Sequence, residues 1–125
     1  MIHGDSAGDG ARVHVPGLDA AWKVARVTGP SMSPTVRHGD RLLVRRVRRS
    51  APVTPGDVVL ARFPSRPELL VVKRVRRPVD GGHWVEGDNE FATDDSRTYG
   101  RAVVVGRVVG RLWPRPGRLP AAPFG

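Results

Sequence analysis

Valine and leucine recur along this chain in short runs with a spacing of two, and proline or glycine interrupts each run. Residues 22–28 (WKVARVT) set Trp22 and Val24 on one face and Ala25 and Val27 on the other, the alternation of a strand. Residues 41–49 (RLLVRRVRR), 57–63 (DVVLARF), 68–76 (ELLVVKRVR), 83–86 (HWVE) and 102–113 (AVVVGRVVGRLW) read as strands too. Turn signals separate them: His38-Gly39-Asp40, Pro55-Gly56-Asp57, and the proline- and glycine-bearing residues 64–67 and 78–82. Gly106 and Gly110 predict a bend or bulge in the last run. No segment carries a convincing amphipathic helical period. Six or seven strands at this spacing predict an all-β fold, with antiparallel twisted sheets curling into a barrel or sandwich.

Two stretches stand apart. Residues 29–35 (GPSMSPT) hold two prolines, which forbid a regular strand and predict a loop or one tight helical turn. Residues 87–100 (GDNEFATDDSRTYG) predict a polar loop longer than a hairpin needs, and loops of that length are often functional. The chain then divides into a variable N-terminal segment (1–21) mobile at its start, a folded domain (22–113) and a Pro-rich tail (114–125) that reads as a terminus rather than a fold element.

Composition narrows the chemistry. The 125 residues include no cysteine, so no disulfide, thiolate nucleophile or thiolate metal site is available. No metal site or cofactor is expected: His38-Gly39-Asp40 is a turn. The 20 valines favour strands over helices. The net charge is +9, and of the 21 basic residues only Lys23 and Lys73 are lysines. Such a balance fits an arginine-preferring surface or an anionic partner. No aromatic residue is interleaved with the arginines of 41–49, as a base-stacking platform would require, so a nucleic-acid partner is not expected. No apolar run approaches the roughly 18–20 residues of a bilayer span. The first ten residues hold Asp5 and Asp9 and no apolar core of a secretory leader. The expected setting is cytoplasmic.

Among six serines, Ser31 stands out: it lies just past a strand in a loop stiffened by Pro30 and Pro34, where a nucleophile can be held in one geometry. A serine needs a base. His3 and His14 lie in the N-terminal segment and His38 and His83 at turns, and the loop is not Gly-x-Ser-x-Gly. Lys73 suits better. Alternation places it on one face with Leu69, Val71 and Val75, and burial among aliphatic groups favours the neutral amine that a base requires. Arginine cannot take this part, because it does not deprotonate in proteins. The alternative is a lysine whose stem packs while its head reaches water.

These residues carry a resemblance. Thr28-Gly29-Pro30-Ser31-Met32-Ser33-Pro34-Thr35 with Gly39-Asp40, then Val72-Lys73-Arg74-Val75, then Gly87-Asp88-Asn89 with Asp95-Ser96-Arg97 and Gly100, resemble three boxes of the type I signal peptidases, in the same order. The wider family includes the self-cleaving repressors of the DNA-damage response. The Trp113-Pro114-Arg115 tail looks most like that of the short proteases that mature nickel-type superoxide dismutase. The resemblance implies a signal-peptidase-like β fold and a serine endopeptidase with a Ser-Lys dyad. Ser31 would be the nucleophile, Lys73 the base and Thr93 the hydroxyl that orients the lysine. Met32 and Pro34 would shape the nucleophile loop, and Asp95 and Arg97 would pair as scaffold. Gly29 stands where many signal peptidases carry a serine that helps bind the oxyanion, and Pro30 has no N–H. The oxyanion donors would therefore come from the Ser31 amide with the Thr28 hydroxyl or the Gly29 amide. The implied partner is a precursor protein bearing an N-terminal propeptide, such as that of nickel superoxide dismutase. Two alternatives stay open: a signal-peptidase or repressor-like domain lacking its membrane or DNA-binding part, and a non-enzymatic basic nucleic-acid-binding barrel.

Overall fold

A computed structural model describes residues 12–14 (backbone), 21–47 and 53–121. The strands are β1 (Arg12–His14), β2 (Trp22–Thr28), β3 (Arg41–Arg46), β4 (Val58–Phe63), β5 (Arg66–Val79), β6 (Gly82–Glu86) and β7 (Val103–Trp113), with a one-turn helix α1 (Ser96–Tyr99) between the last two. They form a sheet ordered β1-β2-β3-β7-β4-β5-β6 with antiparallel neighbours. A further pairing of β1 with β5, Arg12 opposite Val71, closes the first six of these into a ring, leaving β6 as an extension of β5. The expected all-β antiparallel fold is the fold observed.

The alternation read in the sequence becomes two apolar layers. Ala25, Val27, Leu42, Val44, Leu60, Leu70 and Val72 fill the first, together with Met32 and Val36 from the loop after β2. Val59, Ala61, Phe63, Val71, Val75, Val85 and Ala102 form the second. β4 and β5 alternate between the two layers, so both of their faces are buried. That is why residues 58–63 and 69–75 read as nearly unbroken apolar runs.

Three expectations are amended. The strand over 68–76 runs on to Val79, through Pro78. Beyond Arg74 the named pairings leave β5 only β6 as a neighbour, and a proline fits such an edge because its missing N–H costs no ladder bond. The polar loop 87–100 contains α1, capped by Asp95, whose side chain accepts from Arg97 N. Within the proline-rich tail, Gly117 bridges Arg111 and Leu119 packs on the first layer. β1 lies in the segment expected to be variable; the mobile start of the chain, residues 48–49 of the strand expected over 41–49 and the last four residues of the tail fall outside the described residues.

Candidate active site

The end of β2 passes into a sharp turn at Gly29, whose φ of 93° suits glycine. Residues 30–36 then close a tight turn through Ser33 N to Pro30 O (2.9 Å) and Val36 N to Met32 O (2.9 Å). Met32 is buried in the first layer and anchors the turn, while Pro34 stays exposed. Ser31 is thereby turned inward. Lys73 lies in the middle of β5, opposite Val59, and so shares the second layer with Val71 and Val75. Its Nζ donates to Ser31 Oγ at 2.7 Å, and both residues are 0% exposed. The two side chains lie 42 positions apart in the chain and meet inside the fold.

The segment after β6 fixes the serine from the other side. Asn89 N donates to Ser31 O at 2.9 Å, and Asn89 Nδ2 donates to Pro30 O at 3.1 Å. A Cβ on Gly87 would run into the Ser31 carbonyl, so this backbone approaches as closely as it does only because residue 87 is glycine. Gly87 N donates to Asp95 Oδ2 (2.9 Å), and Asp95 is held in turn by Arg97 Nε (3.0 Å), Arg97 Nη2 (2.7 Å) and Arg97 N (3.0 Å). Burial alone would raise the Asp95 carboxyl. The hydrogen bonds from Arg97 and Gly87 and the nearby charge of Lys73 outweigh it, and the group sits below the ordinary carboxylate range. The Arg97 guanidinium is raised by the same hydrogen bond, against a smaller opposing effect of burial.

A buried ion pair ties these parts together. Arg74 neighbours Lys73 on β5 but points to the opposite face. Its Nε and Nη2 bind Asp88 at 2.9 and 2.8 Å, its Nη1 donates to Gly56 O, and Nη2 also reaches Pro120 O. Asp88 Oδ2 accepts from Thr35 Oγ1, and Asp88 N points at Met32 Sδ. One carboxylate thus bridges the strand carrying Lys73 and the turn carrying Ser31. Sequence reasoning gave Arg74, Asp88 and Asn89 no separate role. An arginine beside the lysine on a strand with two apolar faces was the available signal, since such a cation needs a buried carboxylate.

Other expected site residues are placed differently. Thr93 is exposed, and its hydrogen bonds run through its carbonyl, which accepts from Asp95 N and Thr98 Oγ1. Thr28 is exposed at the end of β2. Gly29 N donates to His38 Nδ1 at 3.2 Å, so in this arrangement its amide is turned to an imidazole. His38 carried no expectation beyond its turn.

A hydroxyl and an amine in contact, shut off from water, can transfer a proton when the amine is neutral. Comparison with known proteins points to a protease. The Peptidase S24-like family matches residues 16–109. Mitochondrial inner membrane protease subunit 1 of Xenopus tropicalis is 34% identical over 74% of this chain and 70% of its own length. The same subunit of Homo sapiens is 32% identical over 82% and 77%. Mitochondrial inner membrane protease subunit 2 of Saccharomyces cerevisiae is 29% identical over 73% and 68%. These relatives bear on two expectations. They are inner membrane proteases, and the expected likeness to the proteases that mature nickel superoxide dismutase is not shown by them. The cytoplasmic setting, drawn from the lack of an apolar run, is overturned: no helix among the described residues is long and apolar enough to cross a membrane, yet the relatives are named for one. The chain belongs to the Peptidase S24-like family of proteases.

Proposed function

We propose that this protein is a serine endopeptidase that removes an N-terminal extension from a precursor protein, with Ser31 as nucleophile and Lys73 as general base. The observation that carries the reading is the 2.7 Å contact between Lys73 Nζ and Ser31 Oγ, both wholly buried. Neutral Lys73 takes the Ser31 proton as Oγ attacks the scissile carbonyl carbon. The tetrahedral intermediate then expels the leaving amine, which receives that proton from Lys73. Water, deprotonated by the same amine, attacks the acyl-enzyme and frees the new C-terminus, and the proton returns to Ser31 Oγ. The Ser31 amide is the first candidate donor to the oxyanion. Ser31 has no solvent-exposed surface, so a substrate reaches Oγ only once a covering segment moves aside.

The names of the relatives favour a precursor presented at a membrane. The Trp113-Pro114-Arg115 tail, by its resemblance, favours the propeptide of nickel-type superoxide dismutase. One experiment separates these readings. Purified protein is incubated with the dismutase precursor without lipid and, separately, with a preprotein in vesicles, and new N-termini are read by mass spectrometry. Cleavage of either, lost in Ser31→Ala, supports the endopeptidase, and the substrate that is cut decides between the readings. If wild-type protein and Ser31→Ala behave alike on both, the proposal fails.

A further inference from the structure

The tail after β7 is tied to the segment that carries Ser31, and the proposed cleavage gives it no part. Its own anchors are backbone and apolar. Gly117 N donates to Arg111 O at 3.0 Å, and Gly117 O accepts from Arg111 N at 2.8 Å. Gly110 passes so close that a Cβ there would stand 2.9 Å from the Gly117 carbonyl oxygen. Leu119 packs on the first apolar layer, to which Met32 and Val36 of the Ser31 turn also belong. So held, the tail offers carbonyls to two arginines. Arg111 Nε donates to Arg115 O at 3.0 Å, and Arg74 Nη2 donates to Pro120 O at 3.2 Å. The same two arginines converge on Thr35. Arg111 Nη1 donates to Thr35 O at 3.0 Å and to Asp40 Oδ2 at 3.1 Å, while Arg74 reaches Thr35 Oγ1 through Asp88. Asp40 is tied to the turn in its own right, since its Oδ2 accepts from Arg37 N and its carbonyl from Val27 N, both at 2.9 Å. The Arg111 and Asp40 side chains are only 11% and 4% exposed, so water competes little for these bonds.

Given the proposed role of Ser31, on which this rests, we infer that residues 114–120 are a positioning strap for the Ser31 turn, with Arg111 as the positioning residue through which they act. The turn closes on itself through Ser33 N to Pro30 O and Val36 N to Met32 O. Its exit at Thr35 is fixed from outside, by one arginine–carboxylate pair from β5 and one from β7. A guanidinium is planar, with five donors in fixed directions. Pinning Arg111 Nε on Arg115 O therefore fixes where Nη1 points, and Nη1 is the donor that Thr35 O and Asp40 share. Without that carbonyl the guanidinium is free to turn, and the exit of the Ser31 turn loses a hold. Prolines suit a segment whose task is to present acceptors. Pro114, Pro116 and Pro120 have a fixed φ, which restricts how far the carbonyls between and beyond them can swing. A tail that merely adhered would need Leu119 alone; carbonyls aimed at the two arginines make it part of the site's support.

The test is amide hydrogen exchange, followed by NMR on the full chain, with kcat and KM on a peptide substrate measured beside it. Three variants loosen the strap by different routes. Arg111→Lys keeps a charge near Asp40, but an ammonium on a flexible stem cannot serve Arg115 O and Thr35 O with one planar group. Gly110→Ala drives a methyl group against the Gly117 carbonyl. Leu119→Ser removes the apolar anchor. In each, the Ser33 and Val36 amides should exchange about tenfold faster or more, the effect of losing one hydrogen bond from a charged donor. The amides of His83 and Ala102, bonded to each other outside the strap, should keep their protection. With the turn loosened, kcat should fall by up to about 100-fold and KM should hardly move. Thermal melts identify the variants that stay folded. Unchanged exchange at Ser33 and Val36 in the folded variants overturns the proposal. Faster exchange spread equally over His83 and Ala102 overturns it too, because the tail is then a general brace of the fold. Wild-type kcat with a loosened turn overturns the positioning role. Exchange is read without cleavage, so activity that survives Ser31→Ala would overturn the proposed nucleophile and leave the hold on the turn to be decided by these amides.

Discussion

Replacing Asp88 by asparagine keeps the shape of the side chain and deletes its charge. The consequence falls on Arg74, whose side chain is 4% exposed against 1% for Asp88. With the carboxylate gone, a buried guanidinium keeps its carbonyl partners Gly56 and Pro120 but has no counter-charge. Breaking one side of such a pair costs about 3–5 kcal/mol. In a domain of this size each kcal/mol moves the melting temperature by about 4 °C, so Asp88→Asn should melt about 12–20 °C lower. Removing both charges with apolar residues of similar volume, Arg74→Met with Asp88→Leu, should recover most of that stability. It should not recover cleavage, because the bridge from β5 to Thr35 is gone and the Ser31 turn is held less closely. A displacement near 1 Å can cost about 100-fold in rate. Urea unfolding of the two single variants and the double variant gives the coupling energy, and kcat on a peptide substrate gives the positional effect. If Asp88→Asn costs less than about 1 kcal/mol, the pair behaves as an exposed one and the reasoning is wrong. Full activity in the double variant would refute the bridging role alone.

Four further outcomes are expected. Lys73→Arg should lose roughly 10²–10⁴-fold in kcat/KM, close to Lys73→Ala, because a guanidinium cannot accept the Ser31 proton; wild-type-like turnover would refute the base. In the wild type kcat/KM should rise with pH as the amine loses its proton. Asp95→Asn should move that rise to lower pH, since it removes an anion that favours the charged amine. Gly87→Ala should lower kcat sharply because its methyl group meets the Ser31 carbonyl, a backbone atom that cannot swing away. Asp95 also makes a stability prediction. Its carboxyl is lowered by folding, so it contributes stability above the ordinary carboxylate range that fades as pH falls through the folded-state value. Denaturation across pH should show wild type and Asp95→Asn converging in acid and separating near neutrality.

The strands were legible because valine-rich alternation and proline or glycine punctuation survive any tertiary arrangement. The two-proline turn at residues 29–35 and the placement of Lys73 among Leu69, Val71 and Val75 were legible for the same reason. Pro78 misled, since the pattern does not say where a strand becomes an edge. The Asp95 cap was written in a stretch with no helical period, because one turn is too short to have one. The hydroxyl expected to orient Lys73 from Thr93 rested on a count along a loop, and such a count fixes no direction for a side chain. The Trp-Arg pairs were invisible for a deeper reason. Arg45 and Arg41 are not interleaved with Trp22 and Trp113 along the chain but across strands, where register rather than sequence distance sets the neighbours.

One strand shows why lysine and arginine are not interchangeable in this chain. Lys73 and Arg74 are adjacent on β5 and face opposite apolar layers, both almost without solvent. On Arg74's side Asp88 supplies a paired carboxylate, so a permanent charge is tolerated and the planar guanidinium is the better shape for it. On Lys73's side Nζ donates to the Ser31 hydroxyl, and the nearby carboxylate of Asp95 is also bonded to Arg97 and Gly87. A group that must live there gains from being able to shed its charge, and lysine can do so where arginine cannot. Exchanging the two, Lys73→Arg with Arg74→Lys, conserves composition and net charge. It should nevertheless destabilise the fold, because it buries a permanent cation beside Ser31 and trades a planar donor pair on Asp88 for a single point. Wild-type stability and turnover in that exchanged variant would mean that the two faces of β5 are equivalent, and the argument for Lys73 as the base would lose its physical ground.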